Sequence, residues 1–172
     1  FSGFDIDLCN AVAAAIFGDA EAYEIRSTTT EERFSVLQSG DADVVFRNTT
    51  WTLARDTDLD SNFGPITFYD GQGVFVRKES GLKTLEDLNG SAICVLGSTT
   101  SELNLMDQMS AAGVDYVPVV VETITDMFDA YAEGTCDAIT NDKSGLIALM
   151  ATLADPAAHE IMDVTLSKEP HA

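Results

Sequence analysis

A chain of 172 residues with 45% hydrophobic side chains can bury one large core or two small ones, which excludes disorder throughout. Its formal net charge of -20 excludes the basic surface that nucleic acid or an anionic membrane demands. No apolar run approaches the roughly 20 residues of a membrane-spanning helix, and Cys9, Cys94 and Cys136 fit no metal-ligand spacing.

In chain order, Asp5 to Phe17 reads as a helix with Ile6, Cys9, Ala13 and Ile16 near one face, stopped by Gly18-Asp19. Ala22 to Ile25 has the pattern of a strand. Thr30, followed by Glu31, Glu32 and Arg33, is a helix start with Thr30 as the cap and acids in the first turn. Phe34, Val36 and Leu37 give that helix an apolar side, Gly40 ends it, and Ala42 to Phe46 is a short strand. Gly73 to Lys78 is strand-like, and Ser80-Gly81 ends it. Leu82 to Asn89 reads as a short helix.

The same order then returns. Ser91 to Leu96 is a strand, Thr100 to Ala112 a helix, Val114 to Val121 a β-branched strand and Ile124 to Glu133 a helix. Cys136 to Thr140 is a strand and Lys143 to Leu153 a helix. Alternation on this scale predicts an α/β fold in which each half is a mostly parallel sheet flanked by helices. The predicted division is a first lobe over residues 1–76 and a second over 77–172, with a hinge near 74–80.

Three polar clusters follow predicted strands, where open parallel sheets collect ligands. They are Arg47 to Asp56, Gly97 to Glu102 and Thr140 to Ser144. Together they offer a guanidinium, hydroxyls, helix-terminal N–H groups and a carboxylate, a set that suits a zwitterion. An Arg fork grips a carboxylate through two parallel hydrogen bonds, and N–H groups at a helix start add to that grip. Each residue also has a plainer role open to it. Arg55 can pair with Asp56 or Asp58 at the surface, Asp142 can cap a helix, Thr99 and Thr100 can form a cap and first turn, and Trp51 can be a packing residue. No phosphate loop or glycine fingerprint is present, and His159 and His171 lie near the C-terminus, away from these clusters.

Gly3-Phe4-Asp5-Ile6-Asp7-Leu8 with Ala11 to Ile16 resembles the GFDxDL opening of the polar amino-acid-binding proteins of ABC importers. Leu37 to Asp43 is similar to their LQSGxxD turn, Asn48 to Arg55 to their TxTxxR segment, Gly97 to Glu102 to their SGTTSE loop and Cys136 to Asp142 to their DAxxxD segment. The runs RNTTWTLARD and YDGQG resemble the general L-amino-acid-binding subgroup. The resemblance implies a two-lobed periplasmic-binding-protein-like fold that closes on its ligand about a hinge. The family's first strand would precede Phe1 and its return strand would follow Glu169-Pro170, so both are expected to be missing here. By motif match, Arg55 would clamp the ligand α-carboxylate, with Thr50 and the backbone around Asn48 at the α-amino and carboxylate groups. Thr99 and Thr100 would offer N–H groups to the carboxylate, and Asp142 would receive the α-ammonium.

The implied function is extracytoplasmic binding of a free L-amino acid for an ABC importer permease, in a Gram-negative periplasm. The protein is then expected to be a monomer with no enzymatic activity, cofactor, metal or nucleic-acid partner. A sensory ligand-binding module could carry the same pocket. A dehydratase on the same fold would need a placed acid or base besides Asp142, and the sequence offers none. Crossover helices could bring Cys94 and Cys136 side by side, and an oxidising periplasm would favour a disulfide. Two buried thiols are equally compatible with the pattern, and Cys9 would stay free or pair with a residue upstream of Phe1.

Overall fold

The computed structural model describes residues 1–59 and 61–172. Helices α1 (Phe4–Phe17), α2 (Glu32–Gln38) and α3 (Leu53–Asp58) come first. They are followed by β1 (Phe68–Arg77), β2 (Ala92–Leu96), α4 (Thr100–Ala112), β3 (Val117–Val121) and α5 (Ile124–Ala132). The chain ends with β4 (Ala138–Asp142), α6 (Lys143–Met150), β5 (His159–Ile161) and β6 (Ser167–His171). None of the helices among the described residues is long and apolar enough to cross a membrane.

The chain groups into two compact units, one of Phe1–Phe68 with Pro170–Ala172 and one of Tyr69–Glu169. The division falls at Phe68–Tyr69 rather than near Val76. The reason is packing: β1 begins earlier than expected, and Val74, Phe75 and Val76 are fully buried in the second unit. The chain returns to the first unit at Pro170, so it passes between the units twice.

In the second unit the strands run in the order β3-β2-β4-β1-β5, with β6 also paired to β1. Pairs β2–β3 and β2–β4 are parallel, while β1 is antiparallel to both β4 and β5. The sheet is therefore mixed rather than mostly parallel. The parallel part is the strand–helix alternation read from the sequence, and β1 enters against it. Alternate residues of each strand supply opposite faces. Val74, Val76, Ile93, Val95 and Ala138 pack with Leu105 and Met109 of α4. Phe75, Cys94, Leu96 and Ile139 pack with Met127 and Tyr131 of α5 and Leu146 of α6. Each such large apolar side chain contributes about 1.5–3 kcal/mol by leaving water. Cys94 and Cys136 form a disulfide across the second of these clusters, with Cα atoms 5.7 Å apart. Cys9 remains a thiol, and burial with the nearby Asp5 pushes its pKa up.

The first unit departs most from expectation. Ala22–Ile25 and Ala42–Phe46 do not form strands. Alternating apolar residues make a strand only where a neighbouring backbone completes the ladder, and no described segment does so here. The cap of α2 also shifts. Thr29 accepts from the Glu32 N–H at 3.2 Å and donates its own N–H to Glu32 Oε2 at 3.0 Å. This reciprocal capping box needs an acid three residues after the cap. Thr30 has Arg33 at that distance, and a guanidinium cannot accept.

Candidate functional site

Within the first unit, the end segment of the chain fixes the Asn48–Trp51 cluster. The Trp51 N–H donates to the Pro170 carbonyl at 2.7 Å, and the Ala172 N–H donates to the Thr49 carbonyl at 3.2 Å. Thr50 bridges to His171 and is buried, while Asn48 is exposed. Thr52 caps α3 by accepting from the Arg55 N–H at 3.1 Å, which sets Arg55 on the first turn of the helix. From there Arg55 Nη1 donates to the Thr50 carbonyl at 2.8 Å, and the guanidinium lies 5.4 Å from the centre of the Phe34 ring. Arg55 and Thr50 are thus brought together, with Arg55 half-buried. The other arginine of the motif has a different task. Arg47 donates to the carbonyls of Thr28 and Thr29 at 3.2 and 2.7 Å and to Thr30 Oγ1, and burial lowers its pKa.

Within the second unit, β2 and β4 are parallel neighbours, with Ile93 level with Ala138 and Cys94 level with Ile139. Extending that register by three places brings Asp142 level with Gly97. The loop carrying Thr99 and Thr100 and the end of β4 carrying Asp142 therefore share one edge of the sheet, at the carboxyl ends of the strands. Thr99 caps α4, accepting from the Glu102 N–H at 3.1 Å and donating to the Leu96 carbonyl at 2.7 Å. The Glu102 carboxylate accepts from the Ser98 N–H at 2.9 Å. Ser98 stands where the SGTTSE pattern has glycine, and its φ of 58° lies in the left-handed region that glycine favours. The plainer role of Thr99 is therefore present whatever else it does.

Asp142 is buried at 4% exposure and sits at the N-cap of α6, yet its side chain makes no cap hydrogen bond. Asp70 supplies one instead, its Oδ2 accepting from the Ser144 N–H at 3.1 Å. Three residues further along β1, Gly73 is dictated by crowding, because a Cβ there would lie 2.8 Å from Lys143 Cγ and 3.1 Å from Ile161 Cγ2. Between the loop and the strand end runs a buried polar network that the sequence reading missed. Gln72 Nε2 donates to the Ser101 carbonyl and to Thr140 Oγ1, both at 2.9 Å. Asn104 Nδ2 donates to Gln72 Oε1 at 3.1 Å and to Glu169 Oε1 at 2.9 Å. The Gln72 in a buried apolar strand was the available signal, since a buried amide must find partners. Glu169, in a Ser-Lys-Glu-Pro run, carries no such mark.

The sequence model of the bacterial extracellular solute-binding proteins, family 3, matches residues 1–148. The general L-amino acid-binding periplasmic protein AapJ of Rhizobium johnstonii is 49% identical over 170 residues, which are 99% of this chain and 50% of the relative. The glutamate/glutamine/aspartate/asparagine-binding protein BztA of Rhodobacter capsulatus is 42% identical, again across 99% of this chain and 50% of the relative. A solved ABC transporter periplasmic binding protein from Brucella ovis with glutathione bound matches with a TM-score of 0.93 at 45% identity, over 99% of this chain and 54% of that one. The chain spans about half the length of the curated relatives it matches.

Proposed function

The chain belongs to the bacterial extracellular solute-binding proteins, family 3, and from that premise we propose that it captures a free L-amino acid in a Gram-negative periplasm for an ABC importer permease. It acts as a monomer, by binding and release without chemical turnover. Arg55 grips the α-carboxylate, with Thr50 and the Asn48 backbone beside it. Thr99 and Thr100 offer N–H groups to the same carboxylate, and Asp142 receives the α-ammonium. One observation carries this reading: the Thr99–Thr100 loop and the buried Asp142 stand at the carboxyl ends of two neighbouring parallel strands. The disulfide supports an oxidising compartment.

If one ligand takes groups from both residue sets, the full binding energy is gained only when both hold it. Small-angle scattering on the protein should then give a smaller radius of gyration at saturating ligand than in its absence. An unchanged radius, with the ligand-free form shown to be open, overturns closure. The ligand itself is found by calorimetry against the common amino acids and glutathione, whose γ-glutamyl end carries the same α-ammonium and α-carboxylate pair. Binding of none of them refutes the function.

Asp142→Asn tests the ammonium role. A hydrogen bond to a charged group is worth about 1.5–3 kcal/mol, so every amino-acid ligand should weaken by roughly 10- to 150-fold. An analogue lacking the α-amino group should lose far less on the same substitution. Unaltered amino-acid affinity in the folded variant removes Asp142 from the site.

A further inference from the structure

The first turn of α4 is tied to the interior of the second unit by three side chains with no role in the reading above. The Thr100 hydroxyl donates to Glu169 Oε2 at 2.9 Å. Ser101 is held through its carbonyl by Gln72 Nε2 at 2.9 Å. Asn104, one turn further along, joins these two holders, reaching Gln72 Oε1, Glu169 Oε1 and Ser167 Oγ. Ser167 also donates to Glu169 Oε1. Gln72 is fully buried and Glu169 is 1% exposed. Thr140 completes the set on β4, accepting from Gln72 and donating to the Gly73 carbonyl at 2.8 Å.

The chemistry of this arrangement is unusual for a structural filler. A buried carboxylate is costly unless several donors meet it, and here the donors come from α4 and from β6. An apolar residue would fill the space without that cost. What the carboxylate adds is direction: it accepts from Thr100 and Asn104 at once, so it fixes both the start of the helix and its first full turn. N–H groups that grip an anion work best when their geometry is set before the ligand arrives.

We propose that Glu169, through Asn104 and Gln72, is a positioning residue that pre-sets the first turn of α4 for the ligand carboxylate. The proposal rests on the amino-acid-binding reading for its functional half and on the hydrogen bonds alone for its structural half. Glu169 is also the last residue of the second unit before the chain returns to the first, so the helix start is anchored at that junction.

Two measurements test it. In ligand-free protein, Glu169→Gln should speed amide hydrogen exchange in the first turn of α4 and leave β2 and β4 protected as before. Unchanged exchange at the helix start, or a uniform rise over the whole unit, overturns positioning. In calorimetry, Glu169→Gln should raise the dissociation constant for the bound amino acid about tenfold. Its cost should shrink in a Thr100→Val background, because one of the two α4 groups it holds is gone while Asn104 remains. A merely structural role would make the two costs additive, and additivity overturns the proposal. If the parent binds no amino acid, the function proposed above fails, and the exchange data still decide the positioning. Should Glu169→Gln not fold, Asn104→Ala removes the link between Glu169 and Gln72 and carries the same expected exchange pattern.

Discussion

Replacing Arg55 by alanine is expected to weaken amino-acid binding by roughly 30-fold to several thousand-fold, the largest loss of any single site residue. Truncating one partner of a desolvated, hydrogen-bonded charge pair costs about 2–5 kcal/mol, and each 1.4 kcal/mol is about tenfold in affinity. The geometry favours the upper part of that range. The Arg55 side chain is already oriented by the Thr50 carbonyl and the Phe34 ring, so little rotamer freedom is lost on binding. Arg55→Lys should recover only part of the loss, because an ammonium keeps the charge and loses the two-pronged fork. Calorimetry on folded variants reads the result, and a change below about threefold in the alanine variant would remove Arg55 from the site.

Reduction of the Cys94–Cys136 disulfide is expected to destabilise the second unit by about 4 kcal/mol. The two residues are 42 apart in sequence, and closing a loop of that length restricts the unfolded chain by about this amount. Both residues are fully buried, so their replacement by alanine adds a packing loss to the entropic one. A unit the size of Tyr69–Glu169 loses roughly 4–8 °C of melting temperature per kcal/mol. Reductant should therefore lower the midpoint of thermal unfolding of this unit by roughly 16–32 °C. A shift under about 2 °C would show that the bond contributes little to stability.

The elements legible in the sequence were those specified locally. The start of α4 is written in Thr99 and Glu102, and that of α5 in Thr123, which accepts from the Asp126 N–H at 3.1 Å. Such caps and helical periods need no distant partner. Strands do. Ala22–Ile25 and Ala42–Phe46 carry strand composition without a ladder, whereas Asp70 and Gly71 look like a turn but join β1, which β4 and β5 flank on either side. The site divides in the same way. Placing Thr99, Thr100 and Asp142 after strands was enough to bring them to one sheet edge. The displacement of Asp142 from its capping role could not be seen, because its replacement, Asp70, is 74 residues from the N–H it caps. The Gln72–Asn104–Glu169 network was hidden for the same reason, its links spanning 32 and 65 residues.

Strand β3 stands at one end of the sheet with Val117 and Val120 exposed. A β-branched, uncharged edge is a template for pairing with a second molecule. Pro118, the second residue of β3, sits level with Ile93 and lacks the N–H such pairing would need. Asp115 and Glu122 bracket the strand with charge of the same sign as the molecule's overall -20. The protein thus protects its stickiest backbone in two ways, one covalent and one colloidal. Only the second responds to the medium, since salt shortens the reach of repulsion to about 8 Å at physiological ionic strength. In concentrated brine, where charge no longer keeps molecules apart, Pro118 is the feature of this edge that still interrupts a pairing ladder.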